Sequence, residues 1–211
     1  MIRRTLGSIC IIAGVIILLI SAILIYKNFV EEETAIRASA DVLQLFEIEM
    51  DSIQATEHQT DNHETSHGIE LMPKYKLYPK IEMPTVSIEG HDFIGIIAIP
   101  KLEIRLPIMS KWSYENLKIA PCRFSGSAYL DNLIICAHNY KGHFREIGSL
   151  DAGDKVILID AVKNLFAYTV VDKEVLRPNE LDSLKTGEWD LTLFTCTLGG
   201  TTRIVIRCNI D

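Results

Sequence analysis

The sequence predicts a mainly β domain with short helices, preceded by an N-terminal transmembrane helix and a stalk. Three observations carry this. Residues 9–26 contain no charge, residues 54–90 are polar and then broken by prolines, and from Phe93 onward short β-branched runs alternate with turn signals. With 211 residues, 48% of them apolar, the chain has room for one domain of ordinary size plus appendages.

The first element is ICIIAGVIILLISAILIY, Ile9 to Tyr26. As a helix these residues rise about 27 Å, close to the hydrocarbon thickness of a bilayer. A cleaved signal peptide fits less well, because the run exceeds the usual apolar region and no small-x-small cleavage site follows it. Arg3 and Arg4 precede the run, while Glu31, Glu32 and Glu33 follow Lys27 on the other side. The positive-inside rule then keeps residues 1–8 in the cytoplasm and places everything beyond residue 27 outside, as a single-pass cell-membrane protein.

Residues 27–90 are expected to form an acidic extracytoplasmic helix and linker. Of the net charge of −7, residues 1–30 contribute +3, residues 31–90 contribute −9 and residues 91–211 contribute −1. No part offers the basic stripe that nucleic acid requires, so nucleic acid is excluded as a partner and the membrane is retained. Ile36, Ser39, Leu43, Phe46, Met50 and Ile53 alternate three and four apart, as on one helix face. Such a face can meet a second copy, the following domain or lipid, and six positions do not choose among them. Beyond Gln54 no helical or strand period is sustained, and Pro73, Pro79 and Pro84 punctuate the approach to the domain.

Within this stretch HETSH at 63–67 matches the H-E-x-x-H pattern of zinc peptidases. That chemistry needs a helix buried against a domain and a third ligand. Here the flanks are QTDN and Gly68, with no apolar face, so the motif reads as a solvated linker and no metal is expected.

The catalytic domain is expected over 91–211. FIGIIAI, LEIRLPIM, NLIICAH, KVILI, LFAYTVV, LTLFTC and RIVIRC are β-branched strands at close spacing, which argues a closed barrel or a sandwich. HFREIGSLDAGD reads as a helical turn ended by glycine. Cys10 lies in the apolar run, leaving Cys122, Cys136, Cys196 and Cys208; if one is a nucleophile the other three cannot all pair, which disfavours a disulfide framework.

Gly199-Gly200 separates the last two strands and is a favoured two-residue hairpin turn. With the glycines as the turn residues, Leu198 faces Thr201 and Cys196 faces Arg203, with Cβ atoms about 5 Å apart. Period-two alternation puts Thr192, Phe194 and Cys196 on one face with Arg203, Val205 and Arg207, directed at a groove. Leu191, Leu193, Ile204, Ile206 and Cys208 occupy the other face, the natural core side. A cation beside a thiol favours thiolate and activates the sulfur. His138, at the end of NLIICA, stands where a scaffold presents catalytic side chains.

TLFTC at 192–196 and CAHNY at 136–140, together with IGIIAIPKLEIRLPI and LDAGDKVIL, resemble the sortase family, whose signature is T-L-x-T-C and whose histidine strand reads A-G-H-N or A-G-H-R. The likeness covers about 120 residues from Phe93 onward. It implies an eight-stranded β-barrel and a cysteine transpeptidase that cuts a sorting signal of the LPxTG type between threonine and glycine. Cys196 is then the nucleophile, His138 the general acid-base, Arg203 the oxyanion and substrate-backbone donor, and Thr195 an aid at the oxyanion. No metal or organic cofactor is implied. The implied partners are surface proteins bearing the sorting signal and an amine acceptor, either a cell-wall precursor or a pilin lysine. Ala137 replaces the usual glycine, a small-for-small change. The seven-residue step from Cys196 to Arg203 and the lack of a D-P-[FW] lid motif bring the sequence nearest class D or a related clostridial-type group.

Two other readings compete with transfer: a cysteine peptidase that hydrolyses the same intermediate, and a non-catalytic membrane-tethered binding module. If the linker reading of HETSH is right, changing His63 and His67 to alanine, or adding a chelator, leaves peptide cleavage unchanged. Activity lost to chelation and restored by zinc would revive a metal centre.

Overall fold

The computed structural model describes residues 2–60, 72–78, 80–197 and 199–211. The HETSH stretch lies outside them. Two compact units are present, Met1–Thr34 and Ala35–Asp211.

The first unit is the beginning of a helix, α1 (Ile2–Thr60). Its apolar side chains between Ile11 and Val30 are exposed, Leu18 and Ile25 to 70% and 72%. Among the described residues α1 is the one helix long and apolar enough to cross a membrane, and it fits an anchor.

The second unit begins with the remainder of α1. After it come α2 (Lys74–Leu77), β1 (Val86–Ile88), β2 (His91–Ile99), β3 (Ile104–Met109), α3 (Tyr114–Leu117), β4 (Cys122–Ser125) and β5 (Leu133–Ala137). β6 (Lys155–Asp160), β7 (Leu165–Leu176), β8 (Leu191–Cys196) and β9 (Arg203–Ile210) complete the sheet. Short 3₁₀ segments lie at Pro100–Leu102, Ala128–Leu130, Arg145–Ser149 and Pro178–Lys185. The sheet order is β1-β2-β3-β4-β5-β8-β9-β7-β6, and β2 also pairs with β6, so eight strands close into a barrel with β1 beside the start of β2. β1 pairs antiparallel with the start of β2, Val86 opposite Phe93. At the closure a Cβ on Gly95 would lie 2.2 Å from Ile159 O, so only glycine lets these backbones meet.

Burial explains why several strands read as unbroken apolar runs. Leu133–Ala137 are buried on both faces. The barrel interior holds Ile97, Ile99, Ile135, Leu158, Leu191, Leu193, Ile206 and Cys208. A second apolar cluster lies on the outer side, where Ile134, Cys136, Phe194 and Val205 pack with Leu176 and Leu184. α1 supplies Val42, Phe46 and Met50 to that outer cluster. Phe46 meets Phe93 edge-on with ring centroids 6.2 Å apart. Ion pairs Glu47–Arg105 (2.8 Å) and Asp51–Lys163 (2.7 Å) flank it, exposed and individually weak. Of the three partners open to the juxtamembrane stripe, the barrel is the one found. Ala35, Ser39, Val42, Phe46 and Met50 form the buried line, while Ile36 and Leu43 sit at its margin.

The β8–β9 register is the expected one, from Leu191 opposite Cys208 to Cys196 opposite Arg203. The turn differs from the two-residue hairpin. Gly200 N donates to Thr197 O at 2.9 Å and Thr197 N to Thr202 O at 3.0 Å, so the reversal begins one residue earlier than Gly199. Thr202 N also donates to Thr197 Oγ1 (3.2 Å), so a threonine side chain supplements the ladder at its end. Gly199 and Gly200 both take positive φ, +88° and +72°.

Arg207 is not in a groove as its face suggested; it is 2% exposed under the Pro178–Lys185 segment. Nε donates to Glu174 Oε1 (2.7 Å), Nη1 to Leu184 O (2.9 Å) and Thr192 Oγ1 (3.0 Å), and Nη2 to Ser183 O (2.9 Å). The fork ties that segment onto the barrel wall. Arg207→Ala should cost about 1–3 kcal/mol of stability, since it leaves the buried Thr192 hydroxyl and backbone acceptors without their donor. Arg207→Lys, lacking the planar fork, should recover only part of it. Denaturant unfolding of the three proteins checks this.

Candidate active site

Parallel pairing of β5 with β8 assembles the site. The register runs from Leu133 opposite Leu191 to Ala137 opposite Thr195. His138 and Cys196 are the next residue of each strand, so they leave adjacent strands, about 4.8 Å apart, at the same level. Thr195 is 1% exposed, and its hydroxyl donates to Ala137 O at 2.8 Å, joining the two strands immediately behind the histidine and the thiol. Cys196 and His138 are both half-buried, open enough to meet a substrate.

Arg203 stands opposite Cys196 on β9. Its Nη1 donates to Gly200 O (3.1 Å) and Thr202 O (3.0 Å), which holds the guanidinium against the turn and leaves the donors on Nε and Nη2. All four expected residues therefore gather at one end of β5, β8 and β9. The hydroxyl of Thr195 alone is turned to a structural acceptor.

The loop after His138 contributes partners that sequence patterns did not single out. Asn139 Nδ2 donates to Thr197 O at 3.3 Å, a second link between the histidine loop and the cysteine strand. The Tyr140 ring stacks on His138, centroids 4.7 Å apart and planes 28° from parallel. His143, in the same loop, is 1% exposed and lies 5.6 Å from Tyr140, ring to ring. A tyrosine two residues past a strand-end histidine was the available signal, but nothing in the strand period says that the loop folds back.

On the face shared with Cys196, Phe194 starts an aromatic row. It contacts Phe124 (5.3 Å), which meets Trp112 (5.6 Å), which meets the exposed Tyr114 (5.9 Å). Trp112 and Phe124 line a cavity of about 490 Å³ together with Lys80, Glu82, Lys111 and Arg123. Among the described residues no group of three or more His, Cys, Asp or Glu side chains is placed to hold a metal ion.

A family model, Sortase domain, matches residues 97–211. The chain belongs to the sortase family. It is a cysteine transpeptidase by that membership, and its closed eight-stranded barrel is the family's fold. Among curated proteins it is 28% identical to Sortase A of Bacillus anthracis over 167 residues, 69% of this chain and 76% of that one. Among solved structures it resembles sortase C from Clostridium perfringens SM101, with 32% identity and a TM-score of 0.50 over 57% of this chain and 70% of that one. A Clostridium perfringens sortase C solved with the C-terminal cell wall sorting motif matches at 30% identity and TM-score 0.51, over 57% of this chain and 71% of that one. A Clostridium perfringens sortase D5 transpeptidase, at 23% identity and TM-score 0.52 over 65% and 87% of the two chains, shares the fold.

Cys122, Cys136, Cys196 and Cys208 are all free thiols. Burial pushes Cys122 and Cys208 up to about 12, and pushes Cys136 upward as well, with Cys122 across the strand pair adding to it. At neutral pH these three stay protonated and poorly nucleophilic. A mild alkylating reagent at pH 7 should therefore modify Cys196 first among the four, with the other three reacting only on unfolding. Peptide mass spectrometry reads this, and labelling of Cys122 or Cys136 ahead of Cys196 would remove the distinction.

Proposed function

We propose that this sortase is a single-pass membrane enzyme that cleaves an LPxTG-like sorting signal between threonine and glycine, then transfers the acyl group to an amine at the cell surface. Residues 1–8 lie in the cytoplasm, 9–26 span the membrane and the barrel lies outside. The observation that supports the reading most is the β5–β8 register, which sets His138 level with Cys196 and leaves Arg203 opposite the thiol.

In this reading the Cys196 thiolate attacks the threonine carbonyl, and the oxyanion that forms accepts hydrogen bonds from Arg203. The tetrahedral intermediate collapses, the threonine–glycine C–N bond breaks and His138 donates a proton to the departing amine. A thioester between Cys196 and the threonine remains. The acceptor amine gives a proton to His138 as it attacks, an amide forms and Cys196 leaves as thiolate. Thr195 serves the oxyanion site by fixing β8 against β5, since its hydroxyl is already engaged. The acceptor is a wall precursor or a pilin lysine. The upstream residues of the signal lie along the row from Phe194 to Trp112, in the direction of the cavity.

The test uses the full chain in detergent with a pool of sorting-signal peptides and several amines, products being read by mass spectrometry. Ligated product is expected with at least one amine, whereas hydrolysis with all of them would make the protein a peptidase. Cys196→Ala should abolish cleavage with the fold retained. Arg203→Ala should lower kcat/KM on the order of 10²–10³-fold, the usual effect of losing an oxyanion donor. Lysine at 203, a point charge without the fork, should restore only part of that.

A further inference from the structure

We propose that the juxtamembrane segment of α1 is a positioning element of the active site, setting the ring of His138 through the contact of Ile36 with Gly142. This deepens the preceding reading and rests on His138 as its acid-base.

The loop from His138 to Arg145 is closed on itself. Phe144 N donates to His138 O (3.2 Å), and both His143 N (2.9 Å) and Arg145 N (3.3 Å) donate to Tyr140 O. Arg145 Nε donates to Asn139 O (2.9 Å). A loop bound this way moves as a body, and the face it shows the active site is the Tyr140 ring stacked on His138. Displacing the loop displaces the surface on which the imidazole rests.

At Gly142 the loop meets α1. A Cβ built there would lie 2.4 Å from Ile36 Cγ1 and 3.3 Å from Ile36 Cβ and Cδ1, and these are its three nearest atoms beyond the adjoining residues. Gly142 is not among the glycines with positive φ, so an alanine could adopt its backbone without strain. Glycine is needed here for the close approach of the helix, not for the turn. Nor can Ile36 easily withdraw. Ala35 and Ser39 beside it are 1% and 2% exposed, and the helix is held further along by the buried Val42, Phe46 and Met50, with Phe46 against Phe93. A methyl group at 142 must therefore push the loop, through Tyr140, against His138.

A shift of this kind should appear in the chemical step. Misplacing a reacting group by about 1 Å can cost up to about a hundredfold in rate. The full chain in detergent is compared as wild type, Gly142→Ala, Ile36→Phe and the double variant Gly142→Ala/Ile36→Ala, with kcat, KM, the pH–rate profile and an NMR titration of the His138 imidazole.

Gly142→Ala should lower kcat about ten- to a hundredfold with KM nearly unchanged, and should displace both the pH–rate profile and the His138 resonances. The double variant, with the clash relieved from the helix side, should recover most of the loss. Ile36→Phe, which adds bulk from the helix and leaves the loop sequence intact, should reproduce the defect and serves if Gly142→Ala does not fold. Wild-type kcat and unchanged His138 resonances in Gly142→Ala or Ile36→Phe, or a defect that the double variant does not relieve, would overturn the inference. If the wild type cleaves no sorting peptide, the proposed reaction fails, while the imidazole titrations still decide whether α1 sets the ring.

Discussion

Residues 133–137 and 191–195 lie 58 positions apart in the chain yet run side by side and parallel, and the proposed active site depends on that pairing. A parallel pair cannot be made by a hairpin; it needs a long crossover. Here the crossover is most of the second half of the barrel, β6 and β7 included. The return is that two strands end together, with His138 and Cys196 as neighbours. Thr195 makes the register specific: slipped by one residue, its buried hydroxyl would lose Ala137 O and carry the cost of an unpaired polar group. The residue beside Cys196 is thus held by the strand that leads to His138.

The barrel wall around this pair is buried on both sides, which is unusual for sheets of antiparallel hairpins but expected where other elements cover the outside. The interior is aliphatic, while the exterior between β4, β5, β8 and β9 is apolar with polar insertions. Those insertions divide the face. At one end Arg207, which also donates to Thr192 Oγ1, donates to Leu184 O and Ser183 O and so holds the Pro178–Lys185 segment on the wall. At the other end Cys196 stays half-exposed among the described residues. Burial of one arginine and exposure of one cysteine, eleven residues apart in sequence, are two consequences of where that cover stops.

α1 adds a second dependence. Its outer-half packing is conventional, an aromatic pair with small and aliphatic side chains around it. Its position is not, because Ile36 reaches the loop that follows the histidine. A helix that begins as a membrane-anchor candidate is also a wall of the catalytic unit from Ala35 onward. From Ala35 onward the helix clusters with the barrel in one compact unit.

Much of this was legible in the residues. Short β-branched runs marked most strands, the paired glycines located the last reversal, and alternation along β8 and β9 sorted the core side correctly for Leu191, Leu193, Ile206 and Cys208. The register of Cys196 with Arg203 followed from counting around the turn, because hairpin pairing is local and its periodicity is short. The two-residue turn itself did not hold: Gly200 N donates to Thr197 O, and the Thr197 hydroxyl engages the backbone of Thr202. What tertiary structure alone decided is whatever required two distant segments to meet. Arg207 and Arg203 share a strand face, yet only the course of residues 178–185 makes one a buried tie, while the other, across the strand pair from Cys196, is held against the turn carbonyls. The helical stripe from Ile36 to Ile53 had three possible partners, and as far as Met50, the Ile53 side chain lying outside those described, the barrel was chosen by contacts such as Phe46 on Phe93 that no periodicity encodes. Sequence by itself determined the elements and the chemistry of the side chains, because propensity and period act over a few residues; their neighbours across the fold were decided by packing, which acts across the whole chain.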